Sequence, residues 1–441
     1  MDIIGVLGLL LAIGFMIYAA FRGYHVIPVT IVAALIAIIT NNVDIWTGLS
    51  VNYATDMKNF VGNYLIMFFL GALLGQILSR SGAARMVGVT LARKFGAKNA
   101  LLITVLTSTI LAYGGVSVFV IVFAIFPIAL FLFQQADLPR RLIPGVVMLG
   151  AGSYAMTALP GSPALTNVIP TSFLGTTVTA APTIGLISAL VMFLSGMYLF
   201  NLYANSLKKK GERFIAAAND NVAELTDEEY KKLPSFGLSV TPLAVTVGVI
   251  LGERFLKIGL PAIFTVIIGL FAGIVVGYAL HYKRISDFKE TLSTSGTGSV
   301  NALMNTAAVV GLGGAVKGAP AFQSFVNFAL SLNLPVIFTT AIAVNIIAGI
   351  TGSSSAGITI FMNTFSEVFL ARGIHPEVFH RIAAMGAGVL DSLPHAGPNV
   401  TFLMVAGLKY REGYPGIFLA TCIVPFIGLI TALILASFGL V

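Results

Sequence analysis

The sequence predicts an all-α polytopic membrane protein, an inverted-topology repeat with about 10 spanning helices, two re-entrant hairpins and two broken helices. Three observations predict it. Of 441 residues, 57% are hydrophobic and only 10% charged, where a soluble domain carries about a quarter charged. Apolar runs of roughly 20 residues, the length that crosses a hydrocarbon core, recur from end to end. Glycine-rich turns followed by Leu-Pro occur once in each half.

Composition excludes a water-soluble globule. Mean hydropathy is +0.96, and too few polar residues remain to coat a surface. Only helices or closed barrels satisfy backbone polar groups in lipid. The runs are continuous rather than alternating, which selects helices. The single cysteine, Cys422, has no intrachain disulfide partner and reads as a small packing residue. Met1-Asp2-Ile3-Ile4 lacks the basic region of a cleaved signal peptide, so the first run is expected to be a retained helix. The net charge of +8 lies in short loops between apolar runs, a topology signal and not a nucleic-acid footprint.

Spanning runs are expected at Ile3–Phe21, His25–Thr40, Gly62–Leu78, Leu142–Leu159, Pro182–Tyr203, Leu238–Leu251, Leu260–Leu280, Asn301–Val316, Arg381–Leu408 and Tyr414–Leu440. Two further apolar stretches are interrupted. Asn99–Phe133 carries Tyr113-Gly114-Gly115-Val116-Ser117, and Leu334–Leu370 carries Gly349 to Gly357. Each limb is short for a crossing, so both read as re-entrant hairpins with tips near the midplane. Lys and Arg crowd one set of loops, from Arg22 through Arg80, Arg140, Lys208–Lys210, Lys283 and Lys409. That side should be cytoplasmic, with both termini outside. The other side holds only Lys58, Arg254, Lys257, Lys317, Arg372 and Arg381.

The duplication rests on order and spacing. Gly114 precedes Gly150-Ala151-Gly152 by 36 positions, and Gly352 precedes Gly386-Ala387-Gly388 by 34. Leu159-Pro160-Gly161-Ser162-Pro163 follows in one half and Leu393-Pro394-His395-Ala396-Gly397-Pro398 in the other. The expected halves are 1–204, with scaffold helices in 1–98 and a hairpin and broken helix in 99–180, and 238–441. In the second half the scaffold helices fall in 238–317, and the hairpin and broken helix in 333–410. The polar segment 205–237 is a cytoplasmic linker. Five crossings per half is odd, so the second half enters from the opposite side. Such repeats place a substrate site at their midplane interface.

Around the turns lie the groups able to bind a small organic anion: Gly114, Gly115, Ser117, Tyr154, Ser162, Thr166 and Asn167 in the first half, and Ser353, Ser354, Ser355, Gly357, Ser392, His395 and Asn399 in the second. Exposed helix N-termini add N–H donors and a positive dipole end. The competing reading is that these side chains cap broken helices or join helices. Asp391 and His395, deep in an apolar run beside a proline, are the expected proton-coupling pair. A carboxylate beside imidazole can take up a proton with the anion, or the pair can be a fixed structural hydrogen bond. No Arg or Lys is expected in the core of the site. No cofactor is expected, and no metal either, because His375 and His380 near a membrane face have no carboxylate or cysteine cluster to join them. Ser354 or Ser355 with His395 and Asp391 could instead make an intramembrane hydrolase, but hydrolysis needs no inverted repeat. A Na+-coupled site of hairpin carbonyls and hydroxyls stays open.

The run Gly388-Val389-Leu390-Asp391-Ser392-Leu393-Pro394-His395-Ala396-Gly397 resembles the Asp-Ser-Leu-Pro-His motif of hydroxybutyrate permease-like members of the gluconate:proton symporter family, within the ion transporter superfamily. Ala158–Pro163 and Tyr113-Gly114-Gly115 are similar to that family as well. The resemblance implies a homodimer in the bacterial inner membrane. In each protomer a transport domain holding both hairpins and both broken helices would move elevator-fashion against a scaffold. It also implies uptake of a small hydroxy-monocarboxylate with a proton. The polar Ser-His-Val-Asn-Asp-type run of gluconate-type members is missing here. Val389, Leu390, Phe402 and Phe119 favour a shorter, more apolar acid, with 3-hydroxybutyrate preferred over gluconate, glycerate or lactate.

Overall fold

The computed structural model describes residues 3–22, 24–96, 99–116, 118–215, 227–256, 259–324, 334–394 and 396–441. Among them every regular element is helical. The first half runs α1 Ile3–Phe21, α2 Val26–Thr40, α3 Ala54–Arg80, α4 Ala83–Phe95, α5 Ala100–Tyr113, α6 Val118–Gln135, α7 Ile143–Ala151, α8 Tyr154–Thr157, α9 Leu165–Leu174 and α10 Pro182–Lys209. A short α11, Asp227–Lys232, precedes the second half: α12 Phe236–Leu256, α13 Ala262–His281, α14 Phe288–Lys317, α15 Val336–Thr351, α16 Ser354–Leu370, α17 Pro376–Ala387, α18 Gly397–Val405, α19 Tyr410–Phe418 and α20 Val424–Ser437.

Counting each broken helix once, the described residues make ten crossings and two hairpins. The limbs of the hairpins are short for a physical reason. The 14 residues of α5 and the 16 of α15 reach roughly 21 and 24 Å, less than the roughly 30 Å of hydrocarbon; α2, with 15 residues, is as short, so it is the left-handed glycine turn after each limb, at Gly115 and Gly352, that marks the hairpins. Two spans exceed the sequence expectation. A π-helical turn at Thr47–Tyr53 leads straight into α3, so one helix runs over Thr47–Arg80, 34 residues. The run expected at Asn301–Val316 is the second half of α14, 30 residues long, capped at Asp287, whose carboxylate accepts from the Glu290 amide at 2.8 Å. Its first half is rich in Ser, Thr and Gly, which lowers hydropathy without ending a helix. The linker starts later than expected, because α10 continues to Lys209; 216–226 lie outside the described residues.

Packing repeats across the halves. Like pairs with like, α3 with α14 and α10 with α20. Unlike pairs come in reciprocal sets: α2 with α14 and α13 with α3, α5 with α7 and α15 with α17, α6 with α18 and α16 with α9. The antiparallel α3–α14 pair carries opposite charges at both ends. Arg80 grips Glu290 through two N–H···O contacts of 3.1 and 3.2 Å, and Lys317 interacts with Asp56. An odd number of crossings per half, with this reciprocal packing, is the inverted repeat.

Candidate functional site

The two hairpin tips turn on left-handed glycines. Gly115 sits at φ +94° and Gly352 at φ +59°, where a Cβ would be strained. At the second tip Ser353 caps α16, its Oγ accepting from the Ala356 amide at 3.3 Å and lying 3.2 Å from Ser355 Oγ. Thr351 Oγ1 donates to the Ala348 and Ser353 carbonyls at 3.2 and 3.1 Å.

The two breaks leave carbonyls without helical partners, and side chains supply the missing donors. In the first, α7 stops at Ala151, one turn of α8 follows, and 158–164 are non-helical. Tyr113 Oη donates to Pro160 O at 2.7 Å. Asn167 Nδ2 donates to Ser162 O and Val178 O at 2.9 and 2.5 Å, and Thr166 Oγ1 to Met156 O at 2.7 Å. In the second break, Tyr410 Oη donates to Pro394 O. Asn399 Nδ2 donates to Ser392 O and Leu393 O at 2.8 and 3.2 Å, and Tyr414 Oη to Ser392 O at 3.2 Å. Each break is thus closed by one tyrosine on its proline carbonyl and one asparagine early in the following helix.

One expectation is corrected here. Arg381, counted among outer loop residues, is fully buried. It extends from α17 into the first half's break. Nε and Nη2 donate to Ala180 O at 3.1 and 2.7 Å, and Nη1 donates to Thr157 O and Asn167 Oδ1, both at 3.1 Å. His380 is fully buried beside it, with Nε2 3.2 Å from Asn167 Oδ1 and Nδ1 2.7 Å from Thr176 Oγ1. The amide oxygen only accepts, so Nε2 carries the proton and Nδ1 accepts from the threonine. The sequence held a signal for this. Pro376 is a helix-starting residue, which puts Arg381 inside a helix and not in a loop.

A cavity of about 560 Å³ lies where these elements meet. Gly115 and Val116 come from the first tip and Thr351 to Ser355 from the second. Gly152, Pro163, Ala164 and Leu165 border it at the first break, and Asp391, Ser392, Ala396 and Pro398 at the second. The opposite wall is α3, through Met67, Phe68, Gly71 and Gln76, and α14, through Ser295, Gly298, Ser299, Ala302, Asn305 and Thr306. The α14 stripe recurs every three to four residues, one face of a helix, and its Ser, Thr and Gly content hides it from hydropathy. Exposed Tyr24, Ser79 and Thr294 rim the cavity at the end that carries Arg22 and Arg80. Among the described wall residues there is no Lys, Arg or His, and Asp391 is the one carboxylate. Ser392 Oγ donates to Asp391 Oδ1 at 3.0 Å, and the Ser354 hydroxyl interacts with the same group. A second cavity of about 390 Å³, between 171–179 and 250–265, touches neither a tip nor Asp391.

Of the expected site residues, Gly115, Ser353, Ser354, Ser355, Asp391 and Ser392 stand on the cavity wall. Gly114, Tyr154, Ser162, Thr166, Asn167, Gly357 and Asn399 do not. Gly114 caps α5, Tyr154 Oη is 2.5 Å from Thr109 Oγ1, and Gly357 faces Ala348, whose Cα would lie 2.5 Å from an added Cβ. Ser117 and His395 lie outside the described residues.

Residues 3–438 match the family model described as GntP family permease. This chain belongs to the GntP permease family. The GntP permease assignment makes it a membrane transporter and not an enzyme. It is 35% identical to "Uncharacterized transporter YxjC" of Bacillus subtilis (strain 168), over 94% of this chain and 95% of that protein. A B. subtilis "Gluconate permease" is 28% identical over 41% of this chain and 39% of its own length. In fold, the GntP permease is similar to the Alcanivorax borkumensis YdaH transporter, a crystal structure described as having an unusual topology, with TM-score 0.52, 16% identity and 98% of both chains covered.

Proposed function

We propose that this GntP permease takes up a small hydroxy-monocarboxylate, 3-hydroxybutyrate by preference and gluconate, glycerate or lactate as further candidates, together with a proton. The observation that carries the proposal is the single cavity bordered by both tips and both breaks. Its hydroxyls, Ser353, Ser354, Ser355 and Ser392, suit a carboxylate and a hydroxyl group. The named gluconate permease relatives support a hydroxy-acid substrate, while Met67, Phe68 and Leu165 on the wall favour a short chain over a polyol. An ionised Asp391 would repel an arriving anion, so a proton on Asp391, exchanged with His395, accompanies the acid in this reading.

Orientation follows the Lys/Arg bias. The cavity mouth then faces the cytoplasm, both termini face outward, and this is the inward-facing conformer in a bacterial inner membrane, as the bacterial relatives suggest. In this reading the hairpins and broken helices move elevator-fashion against α3 and α14, half of whose cavity-facing residues are Gly, Ser or Ala, in a homodimer. Proteoliposomes with an imposed pH gradient test it. Labelled 3-hydroxybutyrate should accumulate against its gradient, and uncoupler should abolish accumulation. Uptake that follows a Na+ gradient and ignores pH would replace the proton by sodium; no uptake of any of the four acids would refute the substrate class.

A further inference from the structure

The α14 wall of the large cavity carries one polar side chain that the protein itself leaves unused. Ser295, Ser299 and Thr306 spend their hydroxyls on their own helix, donating to Thr291 O, Gly296 O and Ala302 O at 2.7, 2.9 and 3.0 Å. Thr294 and Gln76, nearer the mouth, accept from Arg80 at 3.3 and 3.5 Å. Asn305 stands on the same wall. Among the described residues neither end of its carboxamide has a hydrogen-bond partner, and neither end is sealed off from the cavity. An asparagine inside a spanning helix is costly and ordinarily ties that helix to a neighbour. This one, near the middle of the 30 residues of α14, ties it to none. A wall that only had to be wetted would need nothing longer than the hydroxyls around it.

The second hairpin fixes the level of this amide. α14 ends on the side from which that hairpin enters, so it runs parallel to the returning limb, α16, and the two helices pack together, with Ile360 against Gly313. Asn305 lies eight residues before Gly313, and Ser354 six residues before Ile360, about 12 and 9 Å back along the two axes. The carboxamide therefore stands opposite the second tip, within about one helical turn of its serines. The two sides offer different chemistry. The hydroxyls of Ser354 and Ser355 and the N-terminus of α16 suit a carboxylate, which only accepts. A carboxamide both donates and accepts, which matches an alcohol. We propose that Asn305 reads the hydroxyl group of the substrate: the acid lies across the cavity, carboxylate on the second hairpin and hydroxyl on α14, and Asn305 makes the protein select hydroxy acids over unsubstituted acids of the same length. The inference rests on the hydroxy-monocarboxylate reading and deepens it. A site built to hydrogen-bond a hydroxyl rejects the analogue that lacks one, because the site's own polar group is then left unpaired.

Titration calorimetry on the detergent-purified full chain tests the assignment without requiring transport. The readout is the ratio of the dissociation constants of butyrate and 3-hydroxybutyrate, which differ by the hydroxyl alone. In the wild type 3-hydroxybutyrate should bind at least about tenfold more tightly. Asn305→Leu should bring the ratio to within about twofold of one, by weakening 3-hydroxybutyrate and leaving butyrate as in the wild type or tighter. Asn305→Ala repeats the test without adding apolar bulk and should do the same. The thermal midpoint of Asn305→Leu should stay at or above the wild-type value, because no contact within the protein is lost; a clear drop would reveal a structural partner and overturn the proposal. A ratio unchanged in both variants would overturn it, and so would equal weakening of both acids, since Asn305 would then hold the carboxylate or only the shape of the cavity. These outcomes leave the substrate class standing. A wild type that binds none of 3-hydroxybutyrate, gluconate, glycerate and lactate would refute the substrate class and this role of Asn305 with it.

Discussion

Asn167→Leu and Asn399→Leu make the same change at equivalent positions and should have very different consequences. Leucine is close in shape, so packing is little altered and the hydrogen bonds decide. Removing the Asn167 amide orphans two buried groups: Ser162 O, whose one described donor is Asn167 Nδ2, and the His380 Nε2–H, whose one described acceptor is Asn167 Oδ1. Val178 O keeps the Gly161 amide at 2.9 Å, and Arg381 Nη1 keeps Thr157 O. Two orphaned groups at about 1–3 kcal/mol each make a loss of roughly 2–6 kcal/mol, a large part of a typical stability of about 5–15 kcal/mol. In Asn399→Leu nothing is orphaned. Ser392 O keeps the Tyr414 hydroxyl, Leu393 O keeps the Ala396 amide at 2.8 Å, and the unpaired Oδ1 disappears. Two hydrogen bonds of about 0.5–1.5 kcal/mol are lost and a penalty of about 1–3 kcal/mol is relieved, which leaves a change centred on zero and within about 2 kcal/mol of it. Midpoints from thermal unfolding of the two purified variants, each against wild type, read the contrast directly. Equal losses, or a larger loss for Asn399→Leu, would refute the account of the breaks.

Other expectations follow from single contacts. Asp391→Asn keeps the shape of the cavity and removes its carboxylate; counterflow exchange should survive, while pH-driven accumulation should fall at least about tenfold, and unchanged accumulation would remove Asp391 from coupling. Tyr113→Phe strips the hydroxyl from Pro160 O and should destabilise by about 1–3 kcal/mol, with Tyr410→Phe close to it because Pro394 O is held the same way; a midpoint at the wild-type value in both would mean that water replaces the hydroxyl. Gly357→Val drives a side chain onto the Ala348 backbone and should cost about 1–3 kcal/mol or more, measured as loss of monodisperse protein on heating.

Much of the fold was legible because lipid makes sequence rules strict. Hairpins were readable at Gly114-Gly115 and at Gly352 because a chain that turns inside a membrane needs left-handed positions and nearby donors, and both leave marks in the sequence. The breaks were readable from Leu159-Pro160 and Leu393-Pro394. What stayed hidden was partnership across the repeat. Whether Asn167 faces a ligand or a carbonyl depends on where Arg381 arrives from, more than 200 positions away, and no local pattern carries that. The wall of α14 was missed for a different reason: a stripe of Ser, Thr and Gly looks like a loop to a hydropathy reading, although its spacing is helical. Arg381 was misplaced because a cation at the start of an apolar run resembles a loop anchor, and only the helix start at Pro376 argues otherwise.

Glycine seams divide the molecule in a way that bears on how it can deform. An added Cβ would come closer than 3.0 Å to neighbouring main chain where α7 meets Gly416, where Gly150 meets Val105 O, where Gly185 meets Ala158 O, and where Gly357 meets Ala348. The same holds between Gly314 and Asn52 O, and for Gly269 and Gly273 against the main chain of α12. Among the described residues, none of these seams joins α1–α3 and α12–α14 to the hairpins and broken helices. Across that divide, Gly114, Gly115 and Gly313 meet the side chains of Leu243, Leu270 and Ile360. Main chain pressed on main chain has no rotamer to change, whereas leucine and isoleucine tips can step aside. At these glycines the tightest main-chain contacts therefore lie within each group of helices, and the contacts between the groups, along the surface that also walls the cavity, are made mainly by side chains, with Gly71 against Gly115 O the looser main-chain exception.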